Sequence, residues 1–139
     1  MESMQARVLL AGRARGPVLK LETDISFWGG VDPRTGCIID QRHPQYGKAI
    51  AGTILAMYRS IGSSSGSSVL LELFRRERAP LGIILVESDF VISLGAVVAR
   101  EMVYADIPVV CVDPAGFSAL PHEVEIYPSG LISVNSTRV

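Results

Sequence analysis

Residues 62–68 read Gly-Ser-Ser-Ser-Gly-Ser-Ser, five hydroxyls and two glycines in seven positions. Serine hydroxyls donate and accept hydrogen bonds without bulk, and Gly62 and Gly66 let the backbone come close to a ligand. The segment follows an apolar run, Thr53 to Tyr58, and precedes Val69, Leu70, Leu73 and Phe74, whose spacing predicts an amphipathic helix reaching Glu77. A strand passing through Gly and Ser into a helix turns backbone N–H groups outward at the positive end of the helix dipole. Phosphate or carboxylate is favoured there. The same composition also suits ordinary capping and turn chemistry, or a flexible linker. A linker needs a self-sufficient domain on each side, and this segment starts at position 62 of 139 between a strand pattern and a helix pattern. The G-x-x-x-x-G-K-[ST] signature is absent, so the loop does not read as a nucleotide P-loop.

Other residues carry two readings each. Trp28, beside Gly29 and Gly30, either lines a pocket or anchors the core. Gly29 reads as a bulge, while Gly30 suits either a bulge or a close approach to a substrate or partner. Asp32 opens Asp-Pro-Arg-Thr-Gly, a hairpin turn with Pro33 preset and Gly36 free to take positive φ. His43, before Pro44, reads as a loop histidine satisfied by hydrogen bonds rather than a catalyst, and His122 has less claim still. Cys37 and Cys111 stand in apolar contexts as buried thiols, and two cysteines without paired histidines make no metal site. The run Arg-Arg-Glu-Arg-Ala-Pro from Arg75 reads as a solvated helix end.

The elements that must position these residues follow from periodicity. Short β-rich runs at Arg7 to Ala11, Val18 to Leu21, Ile25 to Trp28 and Cys37 to Ile39 predict a small barrel or sandwich. From Thr53 the pattern becomes strand, helix, strand (Leu81 to Val86), helix, strand (Ile107 to Val112), the mark of parallel crossover units. Asp89 caps the second helix, with Val91, Leu94, Val98, Glu101 and Met102 along one side, and a last hairpin turns at Pro128-Ser129-Gly130. At 48% hydrophobic and 19% charged, 139 residues build one α/β domain, residues 1–139. Thirteen basic residues against 14 acidic, with no basic stripe, exclude nucleic acid as an expected partner. No apolar run reaches the roughly 18 residues of a membrane span and no signal core is present, so a soluble cytoplasmic protein is expected.

Taken together, "SFWGGVD" and "GSSSGS", with His43-Pro44, Ala79-Pro80, the helix containing Gly95 and "IPVV", resemble the small subunit, or swivel domain, of aconitase X. The resemblance covers about Val8 to Val110, with the motifs in matching order. It implies a swivelling β/β/α domain similar to the mobile domain of aconitase. It also implies a hydro-lyase whose active site lies between this domain and a large subunit holding iron or an iron–sulfur cluster. Members include cis-3-hydroxy-L-proline dehydratases and the archaeal phosphomevalonate dehydratase, and the form of the motifs here looks more like the former. The resemblance places the catalytic base at Ser63 and the substrate carboxylate against Gly62, Ser64, Ser65, Gly66 and Gly30, with no metal or cofactor bound by this chain alone. It departs from the family at Ile61, where relatives carry Arg or Lys, so the activating cation is expected from Arg59 or from the partner. Swivelling β/β/α domains also serve as phosphohistidine carriers, but no histidine lies between Arg59 and Ser68.

Overall fold

The computed structural model describes residues 3–62 and 65–134. Two short strands, β1 (Met4–Gln5) and β2 (Arg7–Leu10), come first, separated only by Ala6. Next is β3 (Ala14–Lys20), which runs straight through Pro17. The Val18 N–H donates to His122 on one side, so the donor that Pro17 lacks would point the other way, where parallel pairing begins only at Val18. An irregular turn, α1 (Phe27–Gly30), leads into the hairpin of β4 (Val31–Asp32) and β5 (Cys37–Ile38). The Asp-Pro-Arg-Thr-Gly turn forms as expected: the carbonyl of Asp32 accepts the Gly36 N–H at 2.8 Å and Gly36 sits at φ 75°.

The crossover half follows: β6 (Ile54–Met57), α2 (Ser65–Arg75), β7 (Gly82–Leu85), α3 (Phe90–Glu101) and β8 (Val109–Cys111). Strands β3, β6, β7 and β8 are parallel neighbours, with Leu55 opposite Ile83 and Ile84 opposite Val110. A short helix, α4 (Pro114–Ser118), precedes the closing hairpin of β9 (Glu123–Ile126) and β10 (Leu131–Ser133), which pairs back onto β3. The full order is β1-β10-β9-β3-β6-β7-β8-β2. Because the two ends of that order are consecutive pieces of chain, the sheet curls into a nearly closed barrel.

Alternation along the parallel strands divides the core in two. Leu55, Met57, Ile83, Leu85 and Val109 meet α2 and α3, while Ile54, Ala56, Ile84 and Val110 face the other way toward Val124, Ile126, Ile132 and Phe117 of α4. Both faces are buried, which is why these strands read as unbroken apolar runs. Each large side chain so buried stabilises the fold by roughly 1.5–3 kcal/mol.

Three expectations need correcting. Ile25 to Trp28 is not a strand. Only Ile25 bridges, to Ser60, and the chain then turns through Trp28 at ψ 113° and Gly29 at φ 81°. The helix after the serine segment begins at Ser65 rather than Val69, so half of the expected loop is helical. In α3 the side that packs inward is Ile92, Gly95, Ala96 and Ala99, which the expected line of Val91, Leu94, Val98, Glu101 and Met102 does not include. A Cβ on Gly95 would lie 2.9 Å from Leu70 Cδ2, so small residues bring α3 close to α2, while Phe90, Leu94 and Val97 face outward. Helix α4 carries a signal that periodicity overlooks: Asp113 caps it, accepting the Gly116 N–H at 2.7 Å, with Pro114 at its first position.

Candidate functional site

Three segments meet at the N-terminal end of α2, beyond the carboxyl ends of β6 and β7. From β6 the chain passes through Tyr58, Arg59 and Ser60 to Gly62. Beside it runs Ile25–Trp28, joined by the Ile61 N–H donating to the Ile25 carbonyl at 2.9 Å. On the other flank lies the start of α3. The Ser60 N–H and hydroxyl both donate to Asp89 Oδ2, at 2.5 and 2.7 Å, while Asp89 Oδ1 accepts the Ile92 N–H at 3.1 Å. One carboxylate therefore caps α3 and fixes the approach to the serine segment. Sequence reasoning finds the cap but misses the clamp, because Ser60 and Asp89 are 29 positions apart and only the parallel pairing of β6 with β7 brings them together.

The glycines here are set by packing as well as conformation. Gly62 holds φ 105°, and a Cβ there would lie 2.8 Å from Ser26 Oγ, a hydroxyl that donates to the Trp28 carbonyl at 3.0 Å. Gly66 is buried in the first turn of α2, where a Cβ would be 3.1 Å from Val91 Cγ1 and 3.8 Å from Phe27 Cβ. Gly30 is buried against Ile25 (3.0 Å from its Cγ1 to a modest added Cβ), and its carbonyl accepts the Ile39 N–H. Ser65, exposed, opens α2. Ser63 and Ser64, the expected base and its neighbour, lie outside the described residues.

The surroundings of the segment are apolar and open. Trp28 is 68% exposed, which removes its reading as a core anchor, and Ile61 and Phe90 are 50% and 73% exposed. Arg59 lies 3.5 Å from Asp24 and 3.6 Å from Glu87, so its charge is already matched by two carboxylates. The first turn of α2 carries no acidic residue to oppose an anion at the positive end of its dipole.

The remaining candidates have local explanations. Asp32 Oδ1 accepts the Arg34 N–H at 2.9 Å, and that backbone bond holds its carboxyl below the usual carboxylate range. His43 is buried: its Nδ1 accepts the Gln45 N–H at 3.0 Å, leaving Nε2–H to donate to the Thr23 carbonyl at 3.2 Å. Cys111 is buried, which pushes its thiol upward, whereas Cys37 is only half-buried. Among the described residues no three of His, Cys, Asp or Glu gather as a metal ligand set. A concavity of about 390 Å³, with Arg13, Phe74, Leu81 and Tyr104 in its walls, opens at the amino ends of β7 and β8, opposite the serine segment.

Comparison with known proteins gives a consistent picture. The family model for the aconitase X swivel domain matches residues 3–134. Cis-3-hydroxy-L-proline dehydratase of Pseudomonas aeruginosa is 48% identical over 105 residues, 76% of this chain. The chain spans only 18% of that relative's length. The phosphomevalonate dehydratase small subunit of Methanothermobacter thermautotrophicus is 42% identical over 96 residues, 69% of this chain and 73% of its own. The crystal structure of aconitase X from Thermococcus kodakaraensis, in its holo form, superposes with a TM-score of 0.85 at 32% identity, covering 98% of this chain and 100% of that one.

Proposed function

The chain belongs to the aconitase X swivel-domain family, and from that premise we propose that it is the small subunit of a heteromeric hydro-lyase that dehydrates a 3-hydroxy acid. Its contribution is the base and the carboxylate cradle. The observation that carries this reading is the placement of Gly62 and Ser65, which bracket Ser63 and Ser64 in the chain, at the junction of a parallel strand with an 11-residue helix. The junction lies beyond the carboxyl ends of β6 and β7, and a helix start favours a carboxylate.

In this reading Ser63 Oγ, as an alkoxide, takes the proton from the carbon next to the substrate carboxylate. The hydroxyl leaves as hydroxide from the following carbon, a C=C bond forms between the two, and water is the net loss. A serine hydroxyl is too weak an acid to ionise unaided, so dipoles and cations aimed at Oγ must stabilise the alkoxide. The α2 dipole supplies part of that. Arg59 is shared between Asp24 and Glu87, so the partner supplies the cation that Ile61 does not. With only Cys37 and Cys111 in the chain, on β5 and β8, any iron or iron–sulfur centre is assigned to the large subunit.

Cis-3-hydroxy-L-proline is the substrate this reading favours, supported by the 48% identity to the Pseudomonas aeruginosa dehydratase. The 42% identity to an archaeal small subunit makes phosphomevalonate the second reading. Assay of the chain co-expressed with its large subunit, against hydroxyproline isomers and phosphomevalonate, separates them. Loss of water from cis-3-hydroxy-L-proline is expected. Turnover of phosphomevalonate alone selects the second reading, and turnover of neither removes the dehydratase.

A further inference from the structure

Helices α2 and α3 lie side by side on one face of the sheet and turn opposite chemistry outward. On α2 the outer residues are polar: Glu72 Oε2 sits 2.6 Å from both Arg75 Nη2 and Arg76 Nε, a small ion network in water. On α3 the outer positions are Phe90, Leu94 and Val97, spaced i, i+4 and i+7 and therefore on one stripe. The fold does not use them, since α3 packs inward through Ile92, Gly95, Ala96 and Ala99. Phe90 begins the stripe next to Asp89, the residue that holds Ser60, and Val91 and Phe27 both lie against Gly66, so the stripe starts close to the segments that carry the exposed Ile61 and Trp28.

We propose that Trp28, Ile61, Phe90, Leu94 and Val97 form the surface on which the large subunit docks. This rests on the reading of the chain as a dehydratase small subunit. A partner that completes a site at Ser63 has to approach the edge holding Gly62 and the start of α2, and Trp28, Ile61 and Phe90 are the first side chains it covers. The composition fits the centre of an interface, with aromatic and aliphatic anchors and little charge, while Arg59, Asp24 and Glu87 supply a polar rim. The bulk needed to cover it exists in the family: the matched stretch is 18% of the Pseudomonas aeruginosa enzyme, and the greater part of that protein lies outside it. A second copy of this chain on the same surface would close off the edge through which substrate must enter.

The test is co-expression of the full chain, as Leu94→Glu/Val97→Glu, with an affinity-tagged large subunit, reading dissociation of the pair by sedimentation. Dissociation at concentrations at least ~10-fold higher than for the native pair is expected, with the circular dichroism and melting temperature of the variant chain preserved. Arg75→Ala, on the outer face of α2, is the control and should change dissociation by less than about twofold. If the double variant does not fold, Phe90→Asp, at the most exposed position of the stripe, takes its place. Unchanged dissociation overturns the proposal. So does a native chain that self-associates through this face and becomes monomeric when it is substituted. Assembly is measured without turnover, so a pair that assembles by this surface yet dehydrates neither substrate defeats the functional reading alone.

Discussion

Two segments of this chain are rich in residues able to do chemistry, and the fold treats them differently. The stretch from Asp32 to His43 closes mainly on nearby backbone: Asp32 takes the Arg34 N–H, Gly36 bonds back to Asp32, and His43 Nδ1 takes the Gln45 N–H, with the Thr23 carbonyl at Nε2 the one partner farther off. The stretch from Ser60 to Gly66 is instead held from outside, by Asp89 at one end and by the packing of Gly66 against Val91 and Phe27 at the other. Trp28 and Phe90 near it, and Ile61 within it, are exposed. Polar residues whose partners lie within a few positions build architecture. A segment held at its two ends by distant elements, with exposed Trp28 and Phe90 nearby, is the better candidate for a binding role.

Asp89→Ala sharpens this contrast most. It removes the cap of α3, at about 1 kcal/mol, and releases Ser60, so turnover of the assembled enzyme should fall by at least ~10-fold through misplacement of the serine segment. Asp89→Asn keeps one acceptor, enough for the Ile92 N–H, but sets an amide NH2 against the Ser60 N–H, so it should hold the helix cap and still lose turnover as Asp89→Ala does. A loss of stability with unchanged turnover would reduce Asp89 to a helix cap.

His43→Ala should do the reverse. It leaves the Thr23 carbonyl and the Gln45 N–H without their partner in a buried place, at a cost of roughly 1–3 kcal/mol, while kcat of the folded pair stays near native. A large fall in kcat at full folding would move His43 into the site and break the comparison.

The smallest effect belongs to Glu72, on the solvated face of α2. Side-chain hydrogen bonds from Arg75, then Arg76, pull its carboxyl from 4.5 to about 2. The folded value lies below the unfolded one, so the stabilisation is present above about pH 4.5 and is lost as pH falls toward 2. Acid titration of unfolding should show Glu72→Gln losing part of the native chain's pH dependence within that window, with solvent screening keeping the whole effect small.

Much of the architecture was legible because the parallel strands are buried on both faces and announce themselves as β6, β7 and β8, with two helices between them. The hairpin was legible from Pro33 and Gly36 in the Asp-Pro-Arg-Thr-Gly turn. What periodicity could not supply was the outward turn of α3: the rule that large apolar residues point inward fails when Gly95, Ala96 and Ala99 let two helices approach closely. The irregular turn at Trp28 was hidden for a related reason, since a β-rich composition around Ile25 does not reveal that only one residue bridges. The clamp between Ser60 and Asp89 depends on strand register, which no local pattern carries.

The central claim is that Ser63 abstracts the proton, and Ser63→Ala in the assembled enzyme, with Ser67→Ala as control, tests it most directly. The account predicts a loss of turnover of at least ~100-fold, with subunit association and melting temperature nearly unchanged and a product-like carboxylate still bound. Near-native turnover by Ser63→Ala, with Ser64→Ala or Ser65→Ala inactive instead, would contradict it.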